Sequence, residues 1–528
     1  MISKDYLVKN RYVAVSWLLI FIFLAYSVTI ALGSLEGTPK NRINGPFFPY
    51  LSDKPLTEDG YYMLTVAWNI AEGKGFSYNL DIKTTGVQPL AALVYSVQAF
   101  LVQSFGGDKY DFVRAIIVLS AFLQVIFAFV IYRMALALSK DPDKGFYFLI
   151  SVCVVLLNFK VLLNFANGLE TGLYLILLSL FFLYWIMFKE IQTGIKHLMG
   201  LGVLSGLLLL CRLDSVVILF TFYLFLLFNL RIKFRQLSVI LLIAFLLYLP
   251  WQIYVLDVTG NLLQSSARSQ TTFLILNNIP YRALHYSTSV IQHLTPFIFT
   301  GNILLWLMFP LGILYIFILI IVYKKYISVI ISESAEKIFK MISFTLIILL
   351  LVYLFFSYAP HFYFRYTAII MILSFPVFVL LFGHLIKKLK PRKVYVLSAL
   401  ILIIFGTQGF LYLHSGKSAK GLTVRAEFVK HNFTNDERVA SFQTGILGYF
   451  CENVINLDGK MDNTALRSFS GSGIEQYIDS MKIEVLMEWI DFVPVLFKQE
   501  WLEKYWQVYA EDIGDGRTIC YVRKNEEQ

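Results

Sequence analysis

Two adjacent carboxylates, Glu58 and Asp59, open the stretch Thr57-Glu58-Asp59-Gly60-Tyr61-Tyr62. A carboxylate within hydrogen-bond reach of a hydroxyl can orient it and take its proton during attack. If the group displaced is a phosphate, cations or hydrogen-bond donors must stabilise the charge it develops. Met63, Val66, Ala67 and Ile70 recur at helical spacing after the acids. Thr57 is a candidate N-cap and Gly73 a candidate stop, so Glu58 and Asp59 fall in the first turn. That helix is too short to span a bilayer, and the expectation is that it lies at the interface with its apolar face down. Acids also favour a helix N-terminus for purely electrostatic reasons, and from this segment alone that plainer reading stands beside the chemical one.

The elements that must position these acids are membrane helices. The chain has 528 residues, 58% hydrophobic, 16% aromatic and 15% charged, against about 25% charged in an ordinary soluble domain. This composition excludes a nucleic-acid-binding, secreted or disordered protein. Apolar runs at Val13–Ala31, Phe112–Leu138, Phe146–Leu163, Gly172–Phe188, Leu198–Leu210, Val216–Leu230, Leu237–Leu256, Ile303–Val322, Phe339–Phe356, Thr367–Phe382 and Val394–Leu413 predict about 11 transmembrane helices. Arg212-Leu213-Asp214 separates two short runs and reads as a tight hairpin tip, a single broken span being the alternative.

The run Val87–Val102 is interrupted by Gln88 and Gln98 and begins beside Pro89. Left out of the count, it allows Lys4, Lys9 and Arg11, Arg133 to Lys144, Lys189 and Lys196, Arg231 to Arg235, Lys324 to Lys340 and Lys387 to Lys393 to share one side. The positive-inside rule makes that side cytoplasmic, and Val87–Val102 then lies along the outer membrane surface. The loop 32–111, the loop 257–302 and the tail 414–528 become extracytoplasmic, and the protein is expected in a cytoplasmic (inner) membrane as a multi-pass chain.

The tail is more polar and reads as a small α/β domain, apart from a membrane domain over 1–413. Helices are expected at Arg425–Phe433 and Ile474–Met481, and strands at Arg438–Phe442 and Val454–Leu457. A closing hairpin of Trp506–Ala510 and Thr518–Arg523 turns at Gly514-Asp515-Gly516. Cys451 and Cys520 would face an oxidising compartment and could pair there; the alternative is that Cys451 is a small buried apolar residue.

If the displaced group is a phosphate, its partners should be basic and on the outer side, where charges at a membrane edge are costly and few. Arg365, beside His361 and Tyr366 at a helix start, is the first candidate. Arg212, Arg268 and Lys83 are the others. For each the ordinary alternative is an interfacial anchor or an ion pair, notably Arg212 with Asp214. Lys160, near the outer end of a run, can snorkel. Glu170, at another outer helix start, is either a second acid or a helix-end charge. The seven histidines form no close ligand pair, so no dedicated metal cage is inferred. Asp141-Pro142-Asp143 imitates a metal–nucleotide motif but falls in a cytoplasmic turn between lysines.

Taken in order, Glu58-Asp59-Gly60-Tyr61-Tyr62, Ala67-Trp68-Asn69-Ile70-Ala71-Glu72-Gly73-Lys74-Gly75-Phe76 and Thr84-Thr85-Gly86-Val87-Gln88-Pro89-Leu90 resemble the first extracytoplasmic loop of bacterial GT-C glycosyltransferases. The likeness is greatest to the branch holding protein O-mannosyltransferases and lipid A aminoarabinose transferases. Asn167-Gly168-Leu169-Glu170-Thr171, Arg212-Leu213-Asp214, Pro250-Trp251, Thr259-Gly260-Asn261 and Phe364-Arg365-Tyr366 follow in matching order.

The resemblance implies a GT-C fold and transfer of a hexosyl or pentosyl unit from a polyprenyl-phosphate carrier to an extracytoplasmic glycan, lipid or protein, with inversion. It matches Asp59 to the family's acidic residue, with Glu58 able to exchange roles, and it places Tyr62, Gln88, Glu170 and His361 about an acceptor or sugar pocket. Asp59 has three roles open to it: orienting the hydroxyl, taking its proton late, or holding a divalent cation. A transporter or flippase of a lipid-linked sugar is the competing reading; it predicts symmetric repeats and charges at the bilayer midplane. A polymerase or ligase using diphosphate-linked donors and a membrane-anchored scaffold are the remaining ones.

Overall fold

The computed structural model describes residues 4–33, 56–140, 143–187, 194–229, 232–272, 279–294, 330–356, 363–388, 420–470 and 473–524, with isolated positions between 314 and 325. In chain order the helices are α1 (Lys4–Ala31), α2 (Glu58–Ala71), α3 (Pro89–Ser104), α4 (Lys109–Leu138), α5 (Lys144–Leu156), α6 (Phe159–Phe165), α7 (Thr171–Met187), α8 (Ile195–Cys211), α9 (Ser215–Phe228), α10 (Phe234–Thr259), α11 (Ser265–Thr272), α12 (Ile279–Leu294) and α13 (Glu333–Phe356). Three abutting pieces, Tyr363–Tyr366, a 3-10 turn Thr367–Ile370 and Met371–Lys388, make one rod, α14.

Among the described residues five helices are long and apolar enough to cross a membrane, or six when α5 and α6, bent by 65°, count as one span. α7, α8 and α9 are apolar but shorter. The expected runs Ile303–Val322 and Val394–Leu413 lie almost wholly outside the described residues, as does the expected boundary at 413/414. α8 and α9 form the hairpin read from Arg212-Leu213-Asp214. The Ser205 and Tyr223 hydroxyls meet at 2.7 Å, whereas in one continuous helix residues that far apart in sequence would stand roughly 27 Å apart.

α2 departs from expectation. It is not laid on lipid: every residue from Gly60 to Asn69 is buried in protein. The physical reason is close approach at Gly60, where a Cβ would fall 2.1 Å from the Asn167 carbonyl oxygen. α2 can therefore sink against the α6–α7 turn. α3 lies on it through Ala91, Ala92, Tyr95 and Ala99, and turns Leu93, Val97, Phe100 and Leu101 outward. That outer face is the kind of surface a helix at a membrane interface would bury.

The tail folds as α15 (Lys420–Asn432), β1 (Val439–Ser441), α16 (Gly445–Phe450), β2 (Val454–Asn456), α17 (Asn463–Ser470), α18 (Ile474–Ser480), β3 (Val485–Trp489), α19 (Val493–Leu496), α20 (Gln499–Tyr505), β4 (Trp506–Ala510) and β5 (Thr518–Arg523). The sheet order is β2-β1-β3-β5-β4; the first three strands run parallel and β5 is antiparallel to both neighbours. Successive strand residues alternate between two cores, Ala440, Ile455 and Leu486 on one face and Val439, Val454, Val485 and Cys520 on the other. Cys451 and Cys520 are both free thiols in the second core. They do not pair. Burial raises Cys451 to about 11 and Cys520 to about 12, so both act as inert packing residues.

The tail does not hang free of the membrane domain. Ile446, Tyr449 and Met461 belong to the same buried cluster as Tyr61, Tyr62, Met63, Phe112 and Val113. Tyr78 donates to the Thr444 carbonyl at 2.7 Å, and the Asn79 amide donates to the carbonyls of Gly448, Cys451 and Val454 at 2.9, 3.0 and 3.2 Å. The first loop and the tail therefore lie at the same end of the bundle.

Candidate active site

Thr57 sets the site. Its hydroxyl accepts from the Gly60 N–H at 3.2 Å and donates to the Asn167 carbonyl at 2.9 Å. The N-cap thus closes α2 and ties its first turn to the segment Asn167-Gly168-Leu169-Glu170. Tyr95 adds a hydrogen bond to the Leu169 carbonyl at 2.9 Å.

Arg212 lies at the tip of the α8–α9 hairpin and is buried. Nη1 donates to Glu170 Oε1 at 2.6 Å, and Nη2 and Nε donate to Asp214 Oδ2 at 2.5 and 3.1 Å. Its guanidinium also stands 5.3 Å from the Tyr174 ring and 5.0 Å from the Tyr366 ring. Asp214 accepts a further bond from the Tyr353 hydroxyl at 2.5 Å. The ion pair with Asp214 is therefore real, but it belongs to a buried network with Glu170 that joins α7, the hairpin and α13.

Two clefts meet at Asp59. One, of about 630 Å³, is lined by Asp59, Tyr62, Gln88, Glu170, Arg212, Arg365 and Tyr366, together with Lys460 from the tail. The other, of about 1270 Å³, is lined by Thr57, Glu58, Leu163, Asn164, Asn167, Phe364 and Gln443. Asp59, Tyr62, Leu169, Arg365 and Lys460 line both and form the wall between them. Lys460 Nζ is 3.5 Å from Asp59 Oδ1 and 3.4 Å from Asp458 Oδ2. Burial opposes the charge on Lys460, but Asp59 and Asp458 outweigh it and hold the group above the ordinary lysine value. Tyr62 is raised by burial and by the Asp458 and Glu58 charges, and its hydroxyl accepts from the Thr444 N–H at 3.0 Å.

Glu58 turns away from Asp59's partners and grips the tail. Its two carboxylate oxygens accept from the Gly445 N–H at 2.5 Å and the Ile446 N–H at 3.1 Å, the first turn of α16. Burial raises Glu58 from 4.5 to about 7, against the pull of those two N–H groups and Arg425 and with a push from Asp59. Because the folded-state value lies above the ordinary one, Glu58 contributes stability that is fully present below pH 4.5 and lost as pH rises through about 7. Replacing Glu58 by Gln should flatten this part of the pH profile. Melting curves between pH 5 and pH 8 should show the wild type losing on the order of 1 kcal/mol relative to Glu58→Gln, a figure discounted for partial solvent exposure. Parallel profiles would remove the assignment.

Gly445 is where α16 presses onto α2. A Cβ there would lie 2.0 Å from the Glu58 carbonyl oxygen. Gly445→Ala is expected to lower stability by about 1–3 kcal/mol through forced separation of tail and loop. An unchanged melting temperature would contradict that packing.

The remaining sequence candidates divide clearly. Tyr62, Gln88, Glu170, Arg212 and Arg365 line the clefts with Asp59. Lys83 is exposed, pairs by a bridge with Ser77, and lines neither cleft. Arg268 donates to the Asn463 side chain of the tail at 3.0 Å and lines neither cleft, although its neighbour Ser266 lines the first. His361 lies outside the described residues. Lys160 does not snorkel; it is fully buried and donates to the Gln292 carbonyl. Among the described residues no group of three or more His, Cys, Asp or Glu is placed to hold a metal ion, and Asp59 faces the ammonium of Lys460. Sequence reading missed Lys460 and the tail's part in the site. The only signal was a lysine in the turn Asp458-Gly459-Lys460 after a strand.

No family profile matches the chain, and no curated protein matches it. Solved structures do. The crystal structure of ArnT from Cupriavidus metallidurans bound to undecaprenyl phosphate superposes with a TM-score of 0.57 at 11% identity, covering 96% of this chain and 98% of that one. The apo state of the same protein gives 0.56 at 11% identity, with 98% of each chain covered. The apo oligosaccharyltransferase of Archaeoglobus fulgidus gives 0.52 at 12% identity, over 96% of this chain and 75% of the other. The chain therefore shares the fold of these structures over nearly its whole length.

Proposed function

We propose that the protein is a polyprenyl-phosphate-dependent glycosyltransferase of an inner membrane, its tail and first loop extracytoplasmic. The observation that carries this reading is one carboxylate, Asp59, set between two clefts and facing cations at the end of an apolar bundle. The smaller cleft, which adds Arg212 to the Arg365 and Lys460 of the shared wall, suits the phosphate of the donor. The larger one, with Asn164, Asn167 and Gln443 as hydrogen-bonding groups, suits a sugar, lipid or protein hydroxyl. The acceptor oxygen attacks the anomeric carbon while the bond from that carbon to the phosphate oxygen breaks. The phosphate leaves with the electron pair, the acceptor proton passes to Asp59, and attack opposite the leaving group inverts the centre.

A transporter would carry its functional charges at the bilayer midplane. Here Asp59, Glu170, Arg212 and Arg365 stand at helix ends. The test is to incubate purified protein with synthetic undecaprenyl-phospho-sugars and mixed glycan, lipid and peptide acceptors. Release of undecaprenyl phosphate with matching gain of sugar on an acceptor is expected. Movement of intact lipid-linked sugar across vesicles without release would favour the transport reading instead.

A further inference from the structure

We infer that Lys460, carried into the site by the C-terminal domain, is a binding residue for the donor phosphate that exchanges Asp59 for that phosphate and so makes the carboxylate a stronger partner for the acceptor. The inference rests on the glycosyltransferase reading above and adds a residue, and an order of events, that the first-loop motifs do not contain.

The backbone of Lys460 is fixed. Its N–H donates to Asp458 Oδ1 at 2.8 Å, and its carbonyl accepts from the Ser265 hydroxyl at 2.7 Å. Ser265 is held in turn by Thr85, whose hydroxyl accepts from the Ser265 N–H at 2.9 Å. The tail turn is thus bolted to the first loop and to the start of α11 at one point. On the far side of the turn, Asp462 accepts from the Thr464 N–H at 2.7 Å and from the Tyr477 hydroxyl.

The head of Lys460 is placed differently. Its contacts with Asp59 and Asp458, at 3.5 and 3.4 Å, are longer than the 2.7–2.9 Å typical of charge-assisted hydrogen bonds. The ammonium is shared between two carboxylates, with about a third of the side chain open to the clefts. A flexible four-carbon stem on a fixed base lets such a charge move between partners. Arg212 lines the same cleft but is committed at short range to Glu170 and Asp214. An incoming phosphate can therefore draw Lys460 more readily than it can draw Arg212. When Lys460 turns to the phosphate, Asp59 gives up this ion pair and becomes a stronger hydrogen-bond acceptor for a hydroxyl in the larger cleft. No covalent bond changes in this step; one ion pair replaces another.

The test uses the full-length protein in detergent and undecaprenyl phosphate as the probe. Wild type, Lys460→Met, Lys460→Arg and Asp59→Asn are compared for lipid binding and for melting temperature, and the two Lys460 variants also for donor KM and kcat. Lys460→Met should bind the lipid phosphate at least about tenfold more weakly, the scale of losing one charged hydrogen bond. Its donor KM should rise by a similar factor, and Lys460→Arg should recover most of the binding. Asp59→Asn should bind the lipid at least as tightly as wild type, because the carboxylate competing for Lys460 is gone. Should Lys460→Met not fold, Lys460→Gln serves in its place. Unchanged lipid affinity in a folded Lys460→Met or Lys460→Gln protein overturns the role of Lys460 and leaves the glycosyltransferase reading intact. Absence of lipid-phosphate binding by the wild type overturns both.

Discussion

Replacing Asp59 by Asn is expected to lower sugar transfer by about 10²–10⁴-fold, the usual cost of losing a general base, with little change in stability. Asn keeps the shape of the side chain. The Thr57 cap does not involve Asp59, so α2 still closes. The losses include a favourable charge in a first helical turn and a partly exposed ion pair with Lys460, each about 1 kcal/mol or less. Glu58→Gln should be far milder in turnover, because both Glu58 oxygens are engaged with the Gly445 and Ile446 N–H groups. Steady-state transfer by purified variants, with melting curves alongside, decides the matter. A dead Glu58→Gln beside an active Asp59→Asn would move the base one residue back.

Arg212→Met is expected to cost about 3–5 kcal/mol of stability, because it strands two carboxylates, Glu170 and Asp214, in a buried site. The α8–α9 hairpin, α7 and α13 all converge on that guanidinium through Glu170, Asp214 and Tyr353. The loss should therefore appear as a large fall in melting temperature. The triple change Arg212→Met, Glu170→Gln, Asp214→Asn removes the stranded charges and should recover much of it. A melting temperature for Arg212→Met close to that of the wild type would mean that the network contributes nothing to the bundle.

The sequence made α2 readable because its signals are local. Thr57 is the cap, Glu58 and Asp59 fill the first turn, and Gly73 takes up a φ of +82° just past the end. The β4–β5 hairpin was readable for the same reason, since two short segments rich in aromatic and β-branched residues flank a turn rich in glycine and aspartate. The central strand β3 was not. Val485, Leu486, Met487 and Glu488 are all buried, so no polar alternation marks it. Its Glu488 looks like a loop residue until the Phe442 N–H and Arg425 are seen beside it. The burial of α2 was equally hidden. An amphipathic helix next to membrane spans predicts contact with lipid, whereas the covering surface here is α3 and a helix from the other end of the chain. Long-range docking of this kind leaves no periodicity to read, and it is what brings Lys460 to Asp59.

The most direct measurement of the central claim is a density map of the full-length protein with bound undecaprenyl phosphate. The phosphate is predicted in the smaller cleft, within hydrogen-bond reach of Arg365 and Lys460, with the Lys460 ammonium drawn off Asp59. A phosphate seated away from the wall formed by Asp59, Arg365 and Lys460 would contradict the account.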